Sequence, residues 1–208
     1  MQLGRAVIVT AAAGALAVAL LSPLDTLARE LFAAHMAQHL TLIAVAAPLI
    51  ALARPDPRIE RWVSPTTAWI LFVATFLFWH WPAAFQWAAG NEATRLLELG
   101  SILGTATLFW AVMLAPAARQ VSHGGAALLI TAAAVATDLP GVIMIFAPRA
   151  ICTMPDENAA HFGLTALEDQ QIAGLLMWVP ANLVFFGFAT WLFAQWMREA
   201  PHKILVTS

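Results

Sequence analysis

Three histidines and several carboxylates stand near the ends of apolar segments, where they could bind a metal ion. On a helix His35 and His39 would stack one turn apart with an offset of about 40°, so both imidazoles can point at one ion. His80, in another apolar segment, supplies a third imidazole. Three neutral imidazoles with an open coordination position suit copper or zinc, and nearby sulfur favours Cu(I). Asp169 or Glu98 could be a further ligand, or could fix a histidine tautomer.

Other interpretations of these histidines are open at this point. Near a membrane interface, histidines often only donate hydrogen bonds to a neighbouring helix or extend toward lipid headgroups. The chain would then be a metal-free scaffold or an accessory subunit of a larger complex. Alternatively, two of the histidines are axial ligands of a haem iron. Because His35 and His39 share one helix, His80 would then pair with one of them across the bundle.

Further residues are candidates for chemistry or for packing. Asp138, beside Pro140 in an apolar segment, is either functional or hydrogen-bonded to backbone groups that the proline frees. It is expected about 10 Å or more from Asp169, too far for a proton-sharing pair of carboxylates, which needs about 3 Å. Cys152 is the only cysteine, so it is a free thiol or a copper ligand. Four methionines are attributed to packing: Met36, Met144, Met154 and Met177.

The composition places these residues in a membrane. Of the 208 residues, 61% are hydrophobic and 11% are charged, whereas soluble domains carry about 25% charged residues. A membrane-spanning helix needs about 20 apolar residues, so the chain has room for about six spans and for almost no soluble domain. We expect an all-α, polytopic transmembrane helix bundle that forms a single domain over residues 1–208. The net charge of -2 gives no support for nucleic-acid binding.

Six apolar segments are separated by proline and polar residues. Their approximate bounds are 6–24, 28–52, 67–81, 95–114, 126–147 and 169–197. His35 and His39 lie in the first turns of the second segment, and His80 ends the third, just before Pro82. The fifth segment is expected to be interrupted at residues 138–141 by Pro140. A polar tail, with Arg198, His202 and Lys203, is expected after the sixth.

The distribution of lysine and arginine predicts the orientation of the bundle. Six spans place both termini on one side, and the basic residues expected there are Arg5, Arg54, Arg58, Arg61, Arg119, Arg198 and Lys203. The other side holds only Arg29, Arg95 and Arg149. Because cytoplasmic loops carry the excess of positive residues, both termini are predicted to be cytoplasmic. The three histidines and Asp169 are then expected at the outer end.

Short blocks of residues follow one another in a fixed order along the chain. They are Ser22-Pro23-Leu24-Asp25, His35-Met36-Ala37-Gln38-His39, Trp79-His80-Trp81-Pro82, Leu108-Phe109-Trp110 and Asp169-Gln170-Gln171, the last continued by Gly174 and Met177-Trp178-Val179-Pro180. In this order the blocks resemble those of the multi-span CtaG family of cytochrome c oxidase assembly factors. The resemblance covers about residues 16–190.

The resemblance implies a protein of the bacterial inner membrane that is not an enzyme. It implies that the chain delivers or inserts copper into a haem-copper oxidase. With the predicted orientation, we expect a copper site at the outer end of the bundle, built by His35, His39 and His80, with Asp169 as a further ligand or beside the ligands. The partners implied are oxidase subunits or assembly intermediates, besides membrane lipid. The positions carried over from the blocks are His35, His39, His80, Asp169 and Gln170. One departure concerns Glu98, which is followed by Leu99 where members of the family often have a histidine.

Overall fold

The structure, a computed structural model, describes residues 2–53, 62–114, 121–152, 154 and 158–204. Within these ranges every regular element is a helix, which confirms the all-α prediction. The α-helices are α1 Gln2–Leu21, α2 Pro23–Leu27, α3 Phe32–Leu40, α4 Ala47–Ala53, α5 Pro65–Trp79, α6 Pro82–Ala89, α7 Glu92–Leu114, α8 His123–Phe146 and α9 Ala166–Ile204. A π-helix, Thr41–Ala46, joins α3 to α4, and a 3-10 helix, Asn158–Phe162, precedes α9.

The membrane spans agree with the sequence prediction. Five segments are long and apolar enough to cross a bilayer, namely Leu3–Leu27, Phe32–Ala53, Glu92–Leu114, His123–Phe146 and Ala166–Glu199. A sixth span is formed when α5 and α6 are taken together, although they are bent by 74° at the break between them. The break is where the proline signal predicts it, because α5 ends at Trp79 and α6 begins at Pro82.

Serine side chains begin three of the helices. Ser22, Ser64 and Ser122 each have extended backbone, and each hydroxyl accepts a hydrogen bond from a backbone N–H in the first turn of the helix that follows. Such a cap satisfies one of the four N–H groups that a helix start leaves without a partner. Pro65 follows its cap directly, where the missing N–H costs nothing.

The first turns of α1 and the late turns of α9 lie at the same end of the bundle. Arg5 Nε donates to the carbonyl of Ala53, 3.1 Å away, so the start of α1 lies beside the end of α4. His123 Nδ1 lies 2.9 Å from Glu199 Oε2, so the start of α8 lies beside the late turns of α9. The ends of α4 and α7 meet α9 in a groove that is lined by Leu52, Leu114, Leu183, Gly187 and Trp191. The assignment of this end to the cytoplasm stays a prediction, and four of its arginines, Arg54, Arg58, Arg61 and Arg119, lie outside the described residues.

One sequence prediction about helix continuity is wrong. The fifth span is not interrupted, because α8 runs from His123 to Phe146 with Pro140 inside it. The proline removes one backbone donor, and the hydrogen bonds on either side keep the helix intact. The sixth span ends at Glu199, close to the predicted Met197, although its helix continues to Ile204 into the polar tail. Extending a formed helix needs only one further hydrogen bond per residue, unlike starting one.

The second span contains an irregularity that no sequence signal predicted. Directly after His39, the backbone widens into the π-helix Thr41–Ala46 before returning to α-helix. The indole Nε1 of Trp110, a fully buried side chain on α7, donates to the carbonyl of Ile43 at 2.9 Å. A π-helix disturbs the regular ladder of backbone bonds, so this side-chain donor stabilises the widened turn.

α8 and α9 meet backbone to backbone. A Cβ added to Gly174 would lie 2.7 Å from the carbonyl oxygen of Gly141, and one added to Gly141 would lie 3.1 Å from the carbonyl oxygen of Gly174. Small residues allow this approach in membrane bundles. The contact sets the start of α9 beside the end of α8, where Gln171 donates to the carbonyl of Ile145 at 3.2 Å.

Candidate metal centre

The histidines of α3 lie against a carboxylate of α7. His35 Nε2 is 3.2 Å and His39 Nε2 is 3.5 Å from the same oxygen, Glu98 Oε1. The two imidazole centroids are 4.4 Å apart, as expected for histidines one turn apart on a helix. One ligand atom from each of the three side chains can be chosen so that all lie within 4.8 Å of one another. All three residues are at least 98% buried.

His80 adds a third imidazole from the break between α5 and α6. Its centroid is 5.6 Å from that of His39, and its ring stacks on Phe76 at 3.9 Å. His80 Nδ1 lies 2.7 Å from the carbonyl oxygen of Phe76. Because a carbonyl oxygen can only accept, the neutral ring carries its proton on Nδ1 and leaves the lone pair of Nε2 free. Three helices, α3, α5 and α7, therefore bring His35, His39, His80 and Glu98 together, and we call these four residues the histidine cluster.

Several polar atoms of the histidine cluster are buried without a hydrogen-bond partner among the described residues. They are His35 Nδ1, His39 Nδ1 and Nε2, His80 Nε2 and Glu98 Oε2. Buried polar atoms nearly always have partners, since an unpaired one costs about 1–3 kcal/mol. Imidazole nitrogen and carboxylate oxygen are both ligand atoms for copper or zinc. The donor set of the cluster therefore fits a bound cation.

Aromatic and apolar side chains surround the histidine cluster. The ring of Phe85 lies edge-on to His35, with centroids 5.6 Å apart, and Phe32 packs against Phe85 at 4.8 Å. Below His39 and His80 is a cavity of about 30 Å³, which is room for roughly one water molecule. Its wall includes the thioether side chains of Met36 and Met177. The surroundings therefore have a low dielectric constant, which strengthens the interaction of any ion with Glu98.

Asp169 lies at the start of the helix that carries His35 and His39. Its carboxylate oxygens accept hydrogen bonds from the backbone N–H groups of Phe32 at 2.8 Å and of Ala33 at 2.9 Å. It therefore caps α3 from a different helix, since Leu31 offers no side-chain cap of its own. The structure thus places Asp169 at the first turn of α3, where it positions the helix. Its role at the copper site stays a prediction.

Gln38 holds the opposite flank of α3 through a buried polar network. Its amide nitrogen donates to the carbonyl of Ala19 at 2.6 Å and to Asp25 Oδ1 at 2.9 Å. Arg95 donates to Asp25 and also, at 3.3 Å, to the amide oxygen of Gln38. Gln38 is buried and lies between His35 and His39 along α3. Its bonds to α1, α2 and α7 therefore fix the rotation of α3 about its axis, and with it the direction of the two imidazoles.

Gln170 does not touch the histidine cluster. Its amide nitrogen donates to the carbonyl of Met144 at 3.0 Å, and its amide oxygen accepts from the backbone N–H groups of Ile151 and Cys152. It thus ties the loop after α8 to the start of α9. Cys152 is buried in this loop, and burial raises the pKa of its thiol to about 11.

The comparisons with known proteins give one match. Residues 1–199 match the family model described as cytochrome c oxidase caa3 assembly factor. The chain belongs to this family. Searches of curated proteins and of solved structures gave no match. The resemblance inferred from the sequence blocks is therefore confirmed, and membership of the caa3 assembly factor family implies interaction with cytochrome c oxidase or its assembly intermediates.

Within this caa3 assembly factor, the sequence prediction put Asp169 at the copper site, as a ligand or beside the ligands, and left the role of Glu98 open. Glu98 lies in the histidine cluster, and Asp169 lies at the helix cap. Their positions along their helices could have distinguished the two roles. Glu98 lies six residues after the start of α7, inside the bundle, whereas Asp169 lies three residues after the start of α9, near the level where other helices begin. Asp138 lies elsewhere and accepts from Asn182 at 2.9 and 3.0 Å. Asp138 and Asp169 therefore have separate partners.

Arg95 and Asp25 form the polar network around Gln38, and no sequence signal was used to predict this network. Arg95 is 94% buried on α7, one turn before Glu98, and its partner Asp25 comes from the short helix α2. Gln38 could have indicated the network, because it lies in the His-Met-x-Gln-His block and an amide is not a typical copper ligand. Its polar side chain needed buried partners from other helices.

Proposed function

We propose that this assembly factor binds Cu(I) in the histidine cluster and delivers it to a copper centre of cytochrome c oxidase. One observation carries the proposal: His35, His39, His80 and Glu98 converge from three helices and leave buried nitrogen and oxygen atoms without partners. Such atoms are expensive to bury, and a bound cation would satisfy several of them at once. The family supports the oxidase as the destination.

The charge of the cluster favours a monovalent ion. Three neutral imidazoles and the carboxylate of Glu98 carry one negative charge, which Cu(I) would balance. A divalent ion such as Zn²⁺ would leave one positive charge in an environment of low dielectric constant, which is unfavourable. The thioethers of Met36 and Met177, on the wall of the cavity beside His39 and His80, are soft groups that favour Cu(I) further.

Release to a partner follows from the small number of ligands. A site with three imidazoles and one carboxylate, held on three different helices, can exchange its ligands one at a time for those of an acceptor protein. Copper stays Cu(I) throughout, so no oxidant or reductant is needed. We further propose that the protein resides in the bacterial inner membrane with the histidine cluster at the outer side, the side on which oxidase copper centres form, because the basic residues gather at the other end.

The geometry gives less support to a haem site. A haem between His39 and His80 needs space for a porphyrin, and the cavity beside these rings holds roughly one water molecule. The metal-free scaffold is the main rival, since its histidines would serve only contacts between helices. The two proposals differ in whether the histidines are needed for metal and for oxidase maturation.

The first experiment compares copper and iron in the purified wild type and in a His35, His39 and His80 triple alanine variant. Both are loaded with Cu(I), analysed for metal, and recorded as optical spectra. We expect copper in the wild type and none in the variant. The matched control is His123→Ala, because His123 pairs with Glu199 at the other end of the bundle. It should keep its copper.

Two further measurements test the charge of the histidine cluster and the delivery of copper to the oxidase. Glu98→Gln keeps the shape of the side chain and removes its charge, so Cu(I) affinity should fall about 10- to 100-fold. The control Glu199→Gln should leave affinity unchanged. Cells carrying the triple variant should produce an oxidase deficient in copper. Copper retained by the folded triple variant would place the copper site away from the histidines and overturn the proposal. No uptake by the wild type would favour the metal-free scaffold, and an iron-dependent Soret band would favour the haem site.

A further inference from the structure

A polar cleft leads from the surface of the bundle to the histidine cluster. It has a volume of about 210 Å³ and lies between the turn after α2 and the start of α7. Its wall includes Arg29, His35, Asn91, Glu92, Arg95 and Met154. Of the histidine cluster, only His35 borders this cleft, although the residue is 2% exposed. An ion that enters the cleft therefore meets His35 first.

The other sides of the cluster near His35 are closed by aromatic rings. Phe32 and Phe85 pack against the imidazole, and Phe76 covers His80. The small cavity below His39 is lined almost entirely by apolar groups. A desolvated cation would have to cross hydrocarbon on these sides, at a high cost in free energy. The polar cleft is the favourable route.

Charged residues at the cleft balance one another. Arg29 is half exposed and forms ion pairs with Glu92 and, at 3.3 Å, with Asp25. Arg95, in the wall, is paired with Asp25 as well. Two guanidinium groups thus face two carboxylates, so the cleft has no excess positive charge that would repel a monovalent cation.

Met154 supplies the soft ligand atom in this cleft. The residue is 6% exposed, and the loop before it is anchored by Gln170 through the backbone of Ile151 and Cys152. The other sulfur of the loop, that of Cys152, is not among the groups that line the cleft. A thioether has no proton to lose, so it binds Cu(I) at any physiological pH.

We propose that Met154 is a transfer ligand, which binds Cu(I) in the cleft and passes it to His35. This proposal rests on the proposed function of the histidine cluster. In the transfer one Cu–N bond to His35 forms as the Cu–S bond to Met154 breaks, with no change of oxidation state. A single neutral thioether binds weakly enough to let the ion go on to the cluster.

The test measures how fast purified protein in detergent takes Cu(I) from its coloured bicinchoninate complex in stopped flow. Met154→Leu should slow uptake roughly tenfold, which corresponds to about 1.4 kcal/mol in the barrier, while the final copper content per protein stays that of the wild type. Met154→Gln, of similar length without sulfur, should behave the same. Met113→Leu is the control, because Met113 is buried on α7 and does not border the cleft.

The outcomes separate this proposal from the one on which it rests. If the wild type takes up no copper, the proposed function fails. If the wild type loads and both Met154 variants load as fast, the transfer role of Met154 is wrong and the histidine cluster stands. A lower final copper content in the variants would make Met154 a resident ligand and would equally overturn its transfer role. Size-exclusion profiles establish that the variants are folded.

Discussion

Asp169 accepts a hydrogen bond from the backbone N–H of Phe32, a residue 137 positions earlier in the chain. The bond joins the start of the last span to the start of the helix that carries two of the cluster histidines. A helix start leaves four N–H groups without partners, and in a membrane they find water only near the surface. The cap therefore determines where α3 begins and, with it, the height of His35 in the bundle.

Removing this cap should destabilise the protein. Asp169→Ala is expected to lower the free energy of unfolding by about 2 kcal/mol, since it leaves two buried N–H groups unpaired. Asp169→Asn, which keeps one acceptor oxygen, should cost less. Unfolding in mixed micelles, followed by tryptophan fluorescence, measures both. Glu30→Ala, which removes a partly buried carboxylate two residues before Phe32, is the control, and an equal loss there would argue against the cap.

The contact between α8 and α9 leaves no room for a side chain at Gly174. Gly174→Ala should lower the free energy of unfolding by about 1–3 kcal/mol, because the new Cβ would lie 2.7 Å from the carbonyl oxygen of Gly141. Gly187→Ala on the same helix meets nothing within 4 Å and should be neutral or slightly stabilising. Thermal unfolding in detergent compares the two. Similar melting temperatures would mean that the helices can move apart freely.

The indole of Trp110 should matter through its single hydrogen bond. Trp110→Phe keeps most of the ring and removes the donor to the Ile43 carbonyl in the π-helix, which should cost about 1–3 kcal/mol. Trp69→Phe is a matched control, because Trp69 Nε1 is buried without a hydrogen-bond partner among the described residues. It should cost little. Equal losses in denaturant unfolding would show that ring volume, not the bond, stabilises the π-helix.

The thiol of Cys152 should resist alkylation in the folded protein. Burial raises its pKa to about 11, so the reactive thiolate is scarce at neutral pH and increases only as the pH approaches that value. Iodoacetamide labelling measured by mass spectrometry should be slow at pH 8 in detergent and fast after unfolding in SDS, where the thiol has its usual pKa of about 8.5. Rapid labelling of the folded protein at pH 8 would contradict the buried position.

The number of spans and the ends of most helices could be predicted from the sequence alone. Apolar length predicts spans because each span must satisfy its own backbone in lipid. The Trp-Pro step after His80 predicted the end of α5, and the serines before Pro23 and Pro65 mark helix starts. These signals are local, so they can be recognised without knowing the fold. The sequence blocks also identified the family correctly.

The remaining features depend on which helices meet. The π-helix exists beside Trp110, which is 67 residues from its acceptor Ile43. The continuity of α8 through Pro140 was mispredicted because the proline signal is local, whereas a membrane strongly penalises a broken helix. The position of Glu98 in the histidine cluster, and that of Asp169 at the cap, depend on how α7 and α9 pack against α3. No spacing along the chain reports that packing.

The shortness of α5 has a consequence for the lipid around it. Its 15 residues rise only about 22 Å, whereas the hydrocarbon layer is about 30 Å thick. The chain then bends by 74° into α6, so α5 alone does not cross the full layer. Bilayers adapt to a short span by thinning locally. The headgroup layer should therefore dip beside α5 and α6, so that the aqueous phase approaches the depth of His80. The histidine cluster would then lie under less hydrocarbon than the average thickness of the membrane suggests.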